Sequence, residues 1–160
     1  MIAVRSSSPA DLDSLARLWH AGWHEAHAAI VPPALTRVRA LASFRERLAE
    51  LGDDLRTAGP AGFPLGLRAT KQDELYQVYM TPGARGTGLA GALLADAEAR
   101  LVRRGTVRAK LVCADGNDRA ARFYECSGWT NMGLHHESVD TEDGPFAFDL
   151  LRFEKTLRAD

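Results

Sequence analysis

Arg85-Gly86-Thr87-Gly88-Leu89-Ala90 is the stretch of this sequence with the clearest chemical capability. It stands between a segment of strand character and one of helical periodicity, so its backbone N–H groups converge at the positive end of a helix dipole. Such a concavity holds phosphate oxygens. Glycine lets a ligand approach the backbone closely, and Arg85 adds a charged donor beside it. The chemistry expected is that of a pyrophosphate cradle, the alternative being a plain tight strand-to-helix turn.

Other reactive residue types are more scattered. His20, His24 and His27 fall on one flank of a helical segment, but no Cys, Asp or Glu at suitable spacing completes a tetrahedral set, so no metal is expected. Cys113 closes a strand near the same cleft without an assigned histidine beside it, which favours an inert core thiol over a nucleophile. His135 and His136 are neighbours on a strand, where alternation sends one inward and one outward.

Periodicity supplies the elements that must position these groups. Ile2 to Arg5 reads as a strand, and Ser8-Pro9-Ala10-Asp11 predicts a helix starting near Pro9. Leu12, Leu15, Ala16, Trp19, Trp23, Ala26 and Ile30 make one apolar stripe, which Pro32-Pro33 closes. A second amphipathic segment runs from about Leu35 to Leu51 and stops at Gly52; two antiparallel strands are expected between Leu55 and Thr70. Glu74 to Met80 is a strand that enters a loop at Thr81-Pro82-Gly83. Ala90, Leu93, Leu94, Ala97 and Leu101 share a helical face, with Asp96, Arg100 and Arg103 away from it and Gly105 as the stop. Val107 to Ala114 is a strand and Asn117 to Ser127 a short helix. Trp129 to His136 and Phe146 to Phe153 form a hairpin turning through Glu142-Asp143-Gly144.

The bulk numbers bound the partners. A chain of 160 residues, 46% hydrophobic and 26% charged, is expected to be one domain over residues 1–160. A net charge of -1 and no long basic run argue against nucleic acid. No stretch nears the roughly 20 apolar residues of a membrane-spanning helix, so no membrane association is expected. Met1 to Pro9 has no signal-peptide core, and Cys113 and Cys126 form no Cys-x-x-Cys pair, which leads to a cytoplasmic expectation.

The glycine letters admit several ligands. A triphosphate loop needs Lys and then Ser or Thr, where Leu89-Ala90 stands instead. Gly86-x-Gly88-x-x-Gly91 fits a dinucleotide fingerprint, but it lies mid-chain, and Arg108 to Val112 occupy the place of the expected acidic residue. Arg85-x-x-Gly88-x-Ala90 resembles the acetyl-CoA motif of the GNAT acyltransferase family, which is Gln or Arg, two free positions, Gly, one free position, then Gly or Ala. Val78 to Pro82 looks like the family's strand-to-loop entry. Asn117-x-x-Ala120-x-x-Phe123-Tyr124-Glu125-x-x-Gly128-Trp129 is similar to its second CoA-binding segment. The resemblance follows element order from Val4 to Phe153 and is specific over about Glu74 to Trp129. It ranks CoA above NAD.

The resemblance implies an α/β (α+β) fold. Its central mixed sheet would be mostly antiparallel, with six or seven strands flanked by helices, and splayed so that CoA enters between the Glu74 and Val107 strands. Acetyl-CoA would be the cosubstrate. Val78, Tyr79 and Met80 would pair with pantetheine, and Arg85, Gly86, Thr87, Gly88, Leu89 and Ala90 would hold the pyrophosphate. Asn117 would hydrogen-bond the cofactor, with Ala120 and Phe123 in the same segment. Tyr124 resembles the tyrosine that hydrogen-bonds the CoA sulfur and protonates the departing thiolate. Glu74 matches a glutamate that accepts the amine proton through water, the alternative being a solvated acid beside Asp73. Glu25 and His27 lie where the acceptor pocket is shaped. The activity implied is direct acetyl transfer, in a ternary complex, to a primary amine of a small molecule or peptide; a non-catalytic acetyl-CoA sensor is the alternative. A homodimer is the family habit, and Phe146-Ala147-Phe148 with Leu150-Leu151 would suit either a core or a partner.

Overall fold

The computed structural model describes residues 2–141 and 144–157. Strand β1 (Val4–Ser6) leads to a tight 3-10 turn at Pro9–Asp11, and α1 (Leu12–His27) follows, so the helix proper starts three residues after Pro9. The turn is held by Asp11, whose buried carboxylate accepts from the Ser8 N–H at 2.8 Å, closing a capping box. Leu15, Ala16, Trp19 and Trp23 of the expected stripe are buried. Ile30 is not: α1 stops at His27, so Ile30 leaves the helical register and is 39% exposed.

The second amphipathic segment is two helices rather than one. Pro33 opens the short α2 (Pro33–Val38), a position that costs no hydrogen bond, and α3 (Leu41–Leu51) follows after a break at Arg39. Strands β2 (Leu55–Ala58), β3 (Gly66–Lys71) and β4 (Glu74–Met80) form a meander, so both strands expected before Thr70 are present. Then come α4 (Leu89–Arg103), β5 (Arg108–Ala114) and α5 (Asp118–Cys126). The closing hairpin is β6 (Thr130–Thr141) and β7 (Gly144–Thr156), longer than expected; Glu142 and Asp143 of its expected turn lie outside the described residues.

The strands make one seven-stranded sheet in the order β1-β2-β3-β4-β5-β7-β6. Helices cover both faces. Trp19 and Phe44 pack in edge contact, 5.1 Å between centroids, over Leu67 and Ala69 on one face. Leu94, Ala97 and Leu101 of α4 cover Leu111 and Phe153 on the other. Asp96 departs from expectation. It turns toward the sheet and accepts from the buried Arg68 at 2.8 Å, because a buried guanidinium needs a carboxylate.

Two irregularities in the middle of the sheet create the site. Every neighbouring pair is antiparallel except β4 and β5, which are parallel and meet in register only at Glu74 and Lys110. Beyond that pair they diverge, which is the expected splay. In addition, Ala69 pairs with Gln77 and Thr70 with Leu75, so Tyr76 is an extra residue, a β-bulge. Leu75 and Val78 therefore pack toward α4, while Tyr76 and Tyr79 pack toward α1 and α3.

Candidate active site

The splay opens onto a cavity of about 460 Å³. Its walls come from β4, β5, β7, α5, α1 and the α2–α3 segment, with the loops beside them. Val78, Tyr79 and Met80 line it from β4, and Cys113 and Ala114 from β5. Past Glu74 the β5-facing edge of β4 has no strand partner, so its backbone groups are open to a ligand. The Thr81 N–H is spent on the Leu65 carbonyl at 2.8 Å. By alternation Tyr79 also faces β3, which leaves the N–H and C=O groups of Val78 and Met80 pointing into the gap. Tyr79 contributes its ring instead. That ring needs Gly22 on α1, since a Cβ there would stand 2.6 Å from Tyr79 Cδ1.

The glycine loop forms the mouth. Gly86 and Gly88 have φ of +78° and +86°, a backbone that other residues adopt only with strain, and open space lies before both. The Thr87 hydroxyl donates to the Ala84 carbonyl and tightens the turn. Arg85 and Ala90 line the cavity. Leu89 is buried, its side chain packed with Ala58, Ala84 and Leu93, so it offers a ligand only its N–H. The first N–H groups of α4 have no acceptor within the helix and face outward at its positive end.

Helix α5 supplies the opposite wall through Asn117, Arg119, Ala120, Phe123 and Tyr124. Asn117 caps that helix, its side-chain oxygen accepting from the Ala120 N–H at 3.4 Å, so its amide NH₂ is the part left for a ligand. Tyr124 is 9% exposed and packs against Phe123, Trp129 and Phe153. Burial, with Cys113 nearby, raises its phenol pKa above the usual range, and among the described residues its hydroxyl has no hydrogen-bond partner. Burial likewise pushes the Cys113 thiol up to about 11, so at neutral pH it is a thiol and a poor nucleophile.

The acceptor-side candidates separate. His27 is buried on the cavity wall; Nδ1 donates to the Trp23 carbonyl at 2.8 Å, which leaves Nε2 as an acceptor. Burial lowers its pKa, so the imidazole is neutral. Glu25 is not on the wall. It sits at the rim, where Arg85 donates to it at 2.8 and 2.9 Å and Arg119 approaches to 3.7 Å; Arg85 foremost holds its carboxyl below the usual range. Glu74 is half-buried at the closed end of the splay and off the cavity wall, its pKa raised by burial.

Several lining residues had no sequence signal strong enough to single them out. Arg119 occupies a free position of the α5 motif, and Tyr76 and Gly22 owe their roles to the bulge and to close packing. Arg39 and Arg47, which the sequence did not single out, also line the cavity.

The acetyltransferase (GNAT) family model matches residues 38–129, more than half of the chain and most of the elements just described. The chain belongs to the GNAT family. An uncharacterized N-acetyltransferase of Mycobacterium bovis is 34% identical over 85 residues, 48% of this chain and 54% of that protein. The chain thus spans about half the length of the curated relatives that it matches. A GCN5-related N-acetyltransferase from Rhodopseudomonas palustris has the same fold, with TM-score 0.76 and 20% identity over 98% of this chain and 96% of that one. So has a putative acetyltransferase from Salmonella typhimurium solved with acetyl-CoA, at TM-score 0.68 and 18% identity, covering 100% of this chain and 96% of that one.

Proposed function

We propose that this GNAT chain moves an acetyl group from acetyl-CoA to a primary amine by direct transfer in a ternary complex. The observation that carries this is the β4–β5 splay opening onto a cavity with the glycine loop at its mouth and Tyr124 on its wall. The residues present fit acetyl-CoA. Val78 and Met80 offer an unpaired strand edge to an amide-bearing pantetheine arm, the N–H groups around Gly86 and Gly88 suit a pyrophosphate, and Arg85 and Arg119 add positive charge. Bound there, acetyl-CoA would supply an activated acetyl; its transfer requires an amine that loses a proton and a thiolate that gains one.

Tyr124 holds a proton through the working pH range and is the donor for the thiolate. Cys113, its thiol pushed up to about 11, favours direct transfer over an acyl-cysteine. For the amine proton, His27 offers a neutral acceptor on the cavity wall, while Glu74, off the wall, would act through water.

The test is a thermal-shift titration with acetyl-CoA, CoA, NAD and ATP, followed by thiol release against amines. Acetyl-CoA at a hundredfold excess over its Kd should add about 2.7 kcal/mol of stability. Stabilisation without release for any amine would favour a sensor; no response to CoA species would sink the proposal.

A second prediction concerns the rim. Glu25 competes with phosphate oxygens for Arg85, so Glu25→Gln should tighten CoA binding by about 2- to 5-fold at low salt, the scale of an exposed ion pair. Calorimetry reads this directly. Weaker binding would mean that Glu25 instead holds Arg85 in its working pose.

A further inference from the structure

Burying a guanidinium is costly unless something negative meets it, and it cannot escape by losing its proton. Arg68 and Arg56 obey this, sharing Asp96 at 2.7 and 3.3 Å. Arg39 and Arg47 do not. Both are half-buried on the cavity wall, and among the described residues neither has a carboxylate partner. Arg39 Nε and Arg47 Nη1 are buried without any hydrogen-bond acceptor. Burial first, and then the charge of Arg47, lowers the Arg39 pKa from its ordinary value.

The Arg47 side chain and the Arg39 backbone are held in place. Arg47 lies over the Trp19 ring at 4.3 Å and donates from Nη2 to the Tyr76 hydroxyl at 2.8 Å. Arg39 stands at the break between α2 and α3, where His24 Nε2 donates to its carbonyl at 2.7 Å. Two guanidiniums on the wall of one cavity, each with a buried N–H that lacks an acceptor among the described residues, are a receptor for a small oxyanion. They come from the α2–α3 segment and not from the glycine loop of residues 85–90. Trp23, Leu35, Phe148 and Leu150 make the neighbouring surface apolar.

We propose that the acceptor is a small primary amine bearing a carboxylate or equivalent oxyanion, which Arg39 and Arg47 bind while an apolar side chain fills the surface beside them. This rests on the acetyltransferase reading and names its substrate class.

The test is thiol release from acetyl-CoA with matched amines: L-leucine and other apolar amino acids, their amides, the decarboxylated amines, and the corresponding aminophosphonates. Acids should outpace their amides and decarboxylated partners, and the phosphonate arm shows which oxyanion is preferred. Arg39→Gln should raise KM for the acid by about 10- to 100-fold, the scale of one charged hydrogen bond, with KM for acetyl-CoA unchanged. Arg47→Lys, which keeps the charge but loses the fork and ring contact, should act in the same direction. Binding read without turnover supplies a second arm: N-acetyl-L-leucine should saturate a tryptophan-fluorescence change in the wild type and not in Arg39→Gln. Equal or faster release with amides, turnover of neutral amines alone, or no saturation in the wild type would overturn the proposal. Failure of acetyl-CoA to raise the melting temperature would overturn the transferase reading instead.

Discussion

Tyr124→Phe should lower kcat by about 100-fold, the contribution of one positioned proton donor, with KM for acetyl-CoA little changed. The tyrosine ring is embedded, 5.2 Å from Phe123 and 6.0 Å from Phe153 between centroids, and phenylalanine keeps all of that packing. What it removes is a hydroxyl on the cavity wall with no hydrogen-bond partner among the described residues. Deleting such a group costs nothing in folding, so the melting temperature should hold or rise slightly while turnover falls. That combination separates a proton donor from a merely structural aromatic. Retained kcat would assign thiolate protonation elsewhere. Cys113→Ala is the companion measurement: its thiol, pushed up to about 11, takes no part in direct transfer and should be dispensable for it.

Asp11→Ala should destabilise the fold by about 2–3 kcal/mol, since it breaks a largely buried pair whose arginine still reaches water. Asp11 is fully buried and accepts from Arg5 at 2.8 and 2.9 Å, from the Ser8 N–H at 2.8 Å and from the Gly62 N–H at 2.9 Å. The truncation leaves these donors without their acceptor. In the wild type that one carboxylate ties together β1, the turn before α1 and the β2–β3 connection. Because α1 carries Gly22, Trp23 and His27 to the cavity, acceptor binding should weaken along with stability. The melting temperature should fall by about 5–10 °C. The Arg5 guanidinium, against the opposing effect of burial, holds the Asp11 carboxyl well below the usual carboxylate range. Its contribution is therefore complete above the unfolded value near ~4 and lost as the pH falls through the folded one. Denaturation scans across acid pH should show that loss in the wild type and a flatter profile in Asp11→Ala. A melting temperature within a degree of the wild type would refute the brace.

What the sequence determined by itself was local. Val78 to Met80 as strand, Gly86 and Gly88 as a loop of positive φ, and Leu89–Arg103 as helix each depend on neighbours a few residues away. The places of Tyr124 and Asn117 on the cavity wall were implied by the resemblance of their segment to the GNAT family's second CoA-binding motif. The two-helix division of 33–51 was not legible, since a proline that ends one helix equally well begins another.

The tertiary structure decided which charges meet. Glu25 and Arg85 are 60 residues apart and Arg47 and Tyr76 are 29 apart, and no periodicity encodes such pairings. Nor does any letter announce the bulge that makes Tyr76 an extra residue in β4, or the single register pair that leaves Glu74 at the closed end and off the wall. Arg39 and Arg47 make the same point most sharply. No local signal marks either one, and only the tertiary fold, which brings both to the cavity that β4 also lines, gives them a common surface.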